Sequence, residues 1–161
     1  PEMYQTDNDY VTILRFAIRS ALIDAVKIEG SLDEDDIDDI AGQAVDLGSV
    51  PIIVIRADQG AKADELVQKM ESRWDLEAKT FELAVPVQTK EDIQALEDAA
   101  KAFHEAHHDA TVIPHPIGKI AKEAMLQGQT FGAPLLYTTD GEETETLPTS
   151  TAIHKLLHPE E

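Results

Sequence analysis

Cysteine is absent from the 161 residues, which removes disulfides, thiol nucleophiles and thiolate metal sites together. A cytoplasmic location is the expectation that goes with that absence. No apolar run approaches the roughly 18 residues a membrane-spanning helix needs, and the first residues lack the charged-then-apolar pattern of a secretory leader. Beginning at Pro1 without an initiator Met, the chain is expected to be processed, trimmed or a piece of something longer. Basic residues are scarce: 13 Lys and Arg stand against 32 Asp and Glu, for a formal charge of −19. Nucleic-acid backbones and anionic membranes are poor partners for such a field, and neither is expected. The other reading of the excess is a strongly solvated surface, including a high-salt adaptation. Nine lysines to four arginines, with many isoleucines, weigh against the salt version. No Ser–His–Asp arrangement occurs, and Gly118 and Gly132 stand in loops without a phosphate-loop pattern. Nor does any linker or low-complexity tract divide the chain. Residues 1–161, 42% hydrophobic and 28% charged, therefore read as a single α/β domain.

What is present alternates helices and strands. Val11, Leu14, Ile18, Ala21 and Leu22 recur at helical spacing behind polar Thr6, Asp7 and Asn8, which predicts a helix over 10–24. Ala25–Glu29 alternates with period two and stops at Gly30, a short strand. Ser31 and Glu34 have capping-box spacing and open a helix with Ile37, Ile40, Ala41, Ala44 and Val45 on one face, ended by Gly48. Its acids from Asp33 to Asp39 read as a solvated face that complements the helix dipole. Pro51–Ile55 is a continuous β-branched run, the pattern of a strand covered on both sides. Beyond Asp58-Gln59-Gly60 comes a helix with Leu66, Val67, Met70 and Trp74 inward. Thr80–Pro86 is the next strand, and it carries one carboxylate, Glu82. Thr89 and Asp92 cap a helix that turns Ile93, Leu96, Ala99, Ala100 and Phe103 inward. Strands at Ala110–Ile113 and Ala133–Tyr137 enclose a loop and short helix over 117–127. After an acidic, Thr-rich stretch over 140–146, a last helix spans Ser150–Leu157.

Five strand–helix units with short loops imply a parallel sheet with right-handed crossovers. Such a sheet is either an open flavodoxin-like one or a partial TIM (β/α) barrel, about five strands of eight. Alternation favours the barrel. Val26, Ile28, Ile53, Ile55, Phe81, Leu83 and Val85 fall on one face, and Lys27, Glu29, Arg56, Thr80 and Glu82 on the other. A doubly wound sheet needs both faces apolar, whereas a barrel interior tolerates polar groups near its C-terminal mouth.

Six segments, in order, resemble the C-terminal portion of the type I 3-dehydroquinate dehydratases. Asp24-Ala25-Val26-Lys27-Ile28-Glu29 is similar to that family's Asp-x-x-Asp-Ile-Glu strand, and Pro51–Asp58 to the strand ending Ser-x-His-Asp-Phe. Glu82-Leu83-Ala84-Val85-Pro86 resembles Lys-Ile-Ala-Val-Met-Pro, and Ile117-Gly118-Lys119-Ile120 the Met-Gly loop. Thr130-Phe131-Gly132-Ala133 resembles the Phe-Gly-Ser strand entry, and Thr146-Leu147-Pro148 stands where the family has Ser-Ala-Pro-Gly-Gln. The resemblance implies a TIM barrel lacking its first three strands. It also implies a reaction in which a lysine forms a Schiff base with the 3-keto group of dehydroquinate. A histidine held by a glutamate then takes a C2 proton, and water leaves, without any cofactor.

Carried over by position, most of that site is replaced. The orienting glutamate is Glu29, the base histidine falls on Arg56 and the Schiff-base lysine on Glu82. The carboxylate-holding arginine falls on Met125, the closing-loop serine on Thr146 and its glutamine on Ser150. Arginine does not titrate near neutrality, and a carboxylate forms no imine. No residue is therefore assigned a catalytic role, and the leading expectation is a non-catalytic binding, regulatory or assembly module of this family. Its rivals are an active dehydratase, rearranged or completed by a partner, and an unrelated open α/β ligand-binding domain. With Arg56 on the middle of three neighbouring strands, its guanidinium is expected to bridge Glu29 and Glu82. Open strand edges and an uncovered inner face predict a homo-oligomer, or a complex with a chain supplying the missing strands.

Elsewhere, His104-Glu105-Ala106-His107-His108 matches the spacing of a zinc-protease helix, with His104 and His108 one turn apart. No third ligand is identifiable, so no metal is expected and the pair is at most an adventitious site. His115, His154 and His158 read as surface or loop histidines, and Lys79 as a surface lysine on the face opposite Glu82.

Overall fold

The runs around Ile53 and Leu83 become the two central strands of a parallel sheet whose four strands lie side by side in chain order. In the computed structural model these are β2 (Ala25–Glu29), β3 (Val50–Arg56), β4 (Thr80–Pro86) and β5 (Thr111–Ile117). The structure describes residues 2–5, 25–74, 76, 78–129, 131, 135–138, 143–145 and 147–157. The helix expected over 10–24 lies outside them, as do Thr146, His158 and most of the 130–134 entry. Helices follow each strand: α1 (Glu34–Asp46), α2 (Ala63–Glu71), α3 (Lys90–Ala106) and α4 (Lys119–Leu126), with α5 (Ser150–Leu157) last.

The fifth strand does not join the sheet. β6 (Leu135–Thr138) pairs antiparallel with β1 (Glu2–Gln5) in a separate two-stranded sheet. Among the described residues four parallel strands, not five, alternate with helices, and they do not close a barrel. β5 is also longer than expected, running on through Pro114-His115-Pro116. Thr111 donates its N–H to Lys79 and Ile117 accepts from Val87, both on the β4 side. By alternation, the missing N–H groups of Pro114 and Pro116 fall on the outer edge, where no ladder bond is lost.

The face toward the helices carries the core. Ile28, Ile53, Ile55, Phe81, Leu83 and Val85 are buried there under α1 to α4, whose buried residues include Ile37, Leu66, Met70, Leu96 and Phe103. Each such side chain, fully buried, contributes about 1.5–3 kcal/mol. Trp74, one turn past α2, packs on Phe81, Phe103 and His107, with centroids 6.5, 5.5 and 4.1 Å away. Lys79 sits 4.1 Å above the Trp74 ring and donates to the Trp74 carbonyl, well occupied away from Glu82. Two helix details differ from expectation. The N-cap of α1 is Asp33, without a side-chain cap bond, so Ser31 and Glu34 form no capping box. Ile40 and Val45 lie toward solvent, leaving Ile37, Ala41 and Ala44 as the buried stripe.

The opposite face is not uncovered either. Ile52, Val54, Ala84 and Ile113 are all buried there, which removes one of the two grounds for expecting association. Two glycines allow close approach. A Cβ at Gly30 would meet the Val54 carbonyl oxygen at 2.8 Å, so glycine lets the end of β2 lie against β3. Gly118, at φ +152°, caps α4 with its α-carbon against the Val87 carbonyl, where a Cβ would come within 2.7 Å.

Candidate functional site

Parallel register sorts the polar residues of the inner face into rows. Lys27, Ile52, Thr80 and Thr111 share one; Glu29, Val54, Glu82 and Ile113 the next; Arg56, Ala84 and His115 the one nearest the strand ends. The polar side chains that alternation sends inward thus share one patch three strand spacings wide, from β2 to β5.

At its centre is Glu82, 2% exposed. An isolated carboxylate could not remain charged there, because burial penalises ionised groups heavily. Its two oxygens are each met by a cationic or protonatable group from a different strand. Lys27 Nζ lies 2.9 Å from Oε1, and His115 Nδ1 lies 3.1 Å from Oε2. An ionised carboxylate only accepts, so His115 donates to it in the form that carries hydrogen on Nδ1. Lys27 reaches in diagonally from the row below, past Ile52 on β3, and its side chain is 40% exposed.

Arg56 and Glu29 form the second pair, nearer solvent. The guanidinium meets the carboxylate as a fork, Nε donating to Oε1 and Oε2 at 3.1 and 2.9 Å and Nη2 to Oε1 at 2.8 Å. Those hydrogen bonds hold the Glu29 carboxyl below its usual range, with the Arg56 charge adding to the effect and the Glu82 charge opposing it. The same bonds raise Arg56 above the ordinary guanidinium value. The expected bridge therefore takes a different wiring. Arg56 pairs with Glu29 alone, because a planar fork satisfies one carboxylate fully and Glu82 already has two partners.

The remaining sequence candidates scatter. Met125 is buried in the core on α4, so it does not face the patch. Ser150 opens α5. His104, on α3, faces the Ala110 carbonyl at 3.0 Å, and its ring lies 5.9 Å from that of His108. Among the described residues no group of three His, Cys, Asp or Glu could hold a metal ion. Two functional positions were missed. Lys27 alternates with Glu29 and so shares its face, a placement the sequence carried without any sign of a partner. His115 was hidden because Pro114 and Pro116 read as the end of a strand.

The sequence pattern of the type I 3-dehydroquinases matches residues 2–160. The chain belongs to that family. The 3-dehydroquinate dehydratases of Salmonella paratyphi B and Salmonella heidelberg are 28% identical to it over 134 residues, 82% of this chain and 53% of theirs. It thus spans about half the length of the curated relatives it matches. Among solved structures, type I 3-dehydroquinate dehydratase from Clostridium difficile superposes with a TM-score of 0.71 at 21% identity. That match covers 97% of this chain and 63% of the other. The Geobacillus kaustophilus enzyme gives 0.67 at 16% identity, over 96% and 61%. These neighbours fix the fold as a TIM-barrel-like arrangement, and neither the flavodoxin-like sheet nor an unrelated α/β domain survives.

Proposed function

We propose that this 3-dehydroquinase homologue is non-catalytic in dehydration and serves as a binding or assembly module. The observation carrying this reading is Glu82, buried and doubly paired at the position where the resemblance implies the Schiff-base lysine. A carboxylate there forms no imine, and the neighbouring Arg56 stays protonated at any pH a base must work at. Incubating the chain with dehydroquinate and borohydride, then weighing it intact, tests the reading. No adduct is expected; a substrate-sized mass increment would overturn it.

One observation favours the rival, an active dehydratase with a rearranged site or a partner that completes it. Lys27 and His115 still bring an amine and an imidazole to the inner face. Turnover of dehydroquinate that disappears in Lys27→Met would establish that reading instead. Assembly is checked separately by sedimentation. A homo-oligomer, or a complex with a chain supplying further strands, is expected at micromolar concentration, and a strict monomer alone and with its host extract would remove the assembly role.

A further inference from the structure

The acids outnumber the bases 32 to 13, yet one cleft gathers cations. It lies between the ends of β2 and β3 and the last turn of α2, has a volume of about 280 Å³, and is lined by Arg56, Lys69 and Arg73 against one carboxylate, Glu29. Ser31 and Ser72 add hydroxyls to the same wall.

Several of these donors have nothing to bind. Arg56 spends Nε and Nη2 on Glu29, and its Nη1 makes no hydrogen bond among the described residues. No carboxylate pairs with the Lys69 ammonium, and the Ser31 hydroxyl has no partner among the described residues. Arg73 is held in place by the Gly30 carbonyl at 3.0 Å and Glu34 at 3.3 Å, which fixes the wall the other donors share. A helix C-terminus attracts cations for its own sake, and that alone would place Lys69 in the last turn of α2 and Arg73 just beyond it. It does not account for Arg56 and Ser31, which arrive from a strand end and a turn.

We propose that this cleft binds the phosphoryl group of a small phosphorylated metabolite. Glu29 fills the Nε/Nη2 edge of Arg56, and the Nη1 end of the guanidinium remains for a ligand. What remains is a set of single donors arriving from three separate segments, an arrangement for a tetrahedral oxyanion. The volume is at the lower end of the roughly 300–1,000 Å³ of small-molecule sites, so the ligand is small. The site lies on the helix-side flank of the Arg56–Glu29 pair and is independent of whether the inner face retains catalysis.

Titration of the isotope-labelled chain tests it, with sodium phosphate in one arm, glycerol phosphate in a second and sodium chloride at matched ionic strength in a third. Saturable amide shifts at Gly30, Ser31 and Ser72 are expected in the first two arms and not in the third. Tighter binding of glycerol phosphate identifies a phosphate monoester as the ligand class, and equal or weaker binding identifies free phosphate. Lys69→Gln should weaken either by about tenfold, the loss of one charge-assisted hydrogen bond, and Lys69→Glu should abolish it. Both variants change an exposed residue, and their unaltered spectra away from the cleft report that the fold is intact. Shifts that chloride reproduces, the absence of shifts, or unchanged affinity in Lys69→Gln would each overturn the proposal.

Discussion

Glu82 shows how one buried charge dictates its neighbours. Removing Lys27 takes the ammonium away from a 2%-exposed carboxylate, and breaking buried pairs in this way costs roughly 3–5 kcal/mol. Lys27 is partly solvated, so Lys27→Met should fall at the low end, about 3 kcal/mol, as a lower urea midpoint. Glu82→Gln should cost less, because the ammonium it releases can turn to water. The double variant Lys27→Met, Glu82→Leu should recover much of the loss, since an apolar pair needs no desolvated partner. Acid dependence follows from other carboxylates. Glu29 is held low by the Arg56 hydrogen bonds, and Asp92 by Gln59 and the Gln88 backbone. Each contributes stability above its unfolded value that is lost as pH falls through its folded one. Glu97 runs the other way: burial, then the Asp98 charge, raises its carboxyl. It therefore costs stability above its unfolded value, and Glu97→Gln should melt higher at neutral pH, with the gain vanishing in acid.

At the level of elements, α3 is the most completely specified. Thr89 accepts from the Asp92 N–H at 3.2 Å, and Asp92 accepts from the Gln88 and Thr89 N–H groups at 2.9 and 3.2 Å. Asp92 also takes the Gln59 amide at 2.8 Å, tying the loop after β3 to the start of α3. Thr89→Ala should cost about 1 kcal/mol, as N-caps generally do, measured by denaturation. That helix was legible in the sequence because its cap chemistry and apolar period agree. β4 was legible to the residue for the same reason, a β-branched and aromatic run with clear ends. β5 was not, since prolines normally mark a stop and only its edge position makes them harmless. Nor was the pairing of β6 with β1, which depends on contacts far apart in the chain. At the site, alternation put Lys27, Glu29, Arg56 and Glu82 on one face correctly. Which cation served which anion was not readable, because diagonal reach and burial decide it and neither is a property of spacing.

Across the whole molecule, the charge of −19 sets a self-repulsion that salt relieves, since screening shortens to about 3 Å at 1 M. The melting temperature should rise from low to molar sodium chloride; a flat curve would show that the acids are too well solvated to matter. The two sheet edges are unequal. Pro114 and Pro116 blunt the outer edge of β5, while no described strand lies against the outer edge of β2. Association through the sheet should therefore use β2, beside which α1 leaves Ile40 and Val45 exposed. Among the described residues no helix is long and apolar enough to cross a membrane. The lone Trp74 offers one last consequence. Its indole meets His107 at 4.1 Å and the Lys79 ammonium at 4.1 Å, and it bridges the end of α2 to α3 and β4. The chain thus carries its own fluorophore at the joint of three elements, lit by a single emitter with no background from another tryptophan. Unfolding, and any loosening of that joint, can therefore be followed by fluorescence on the unlabelled protein.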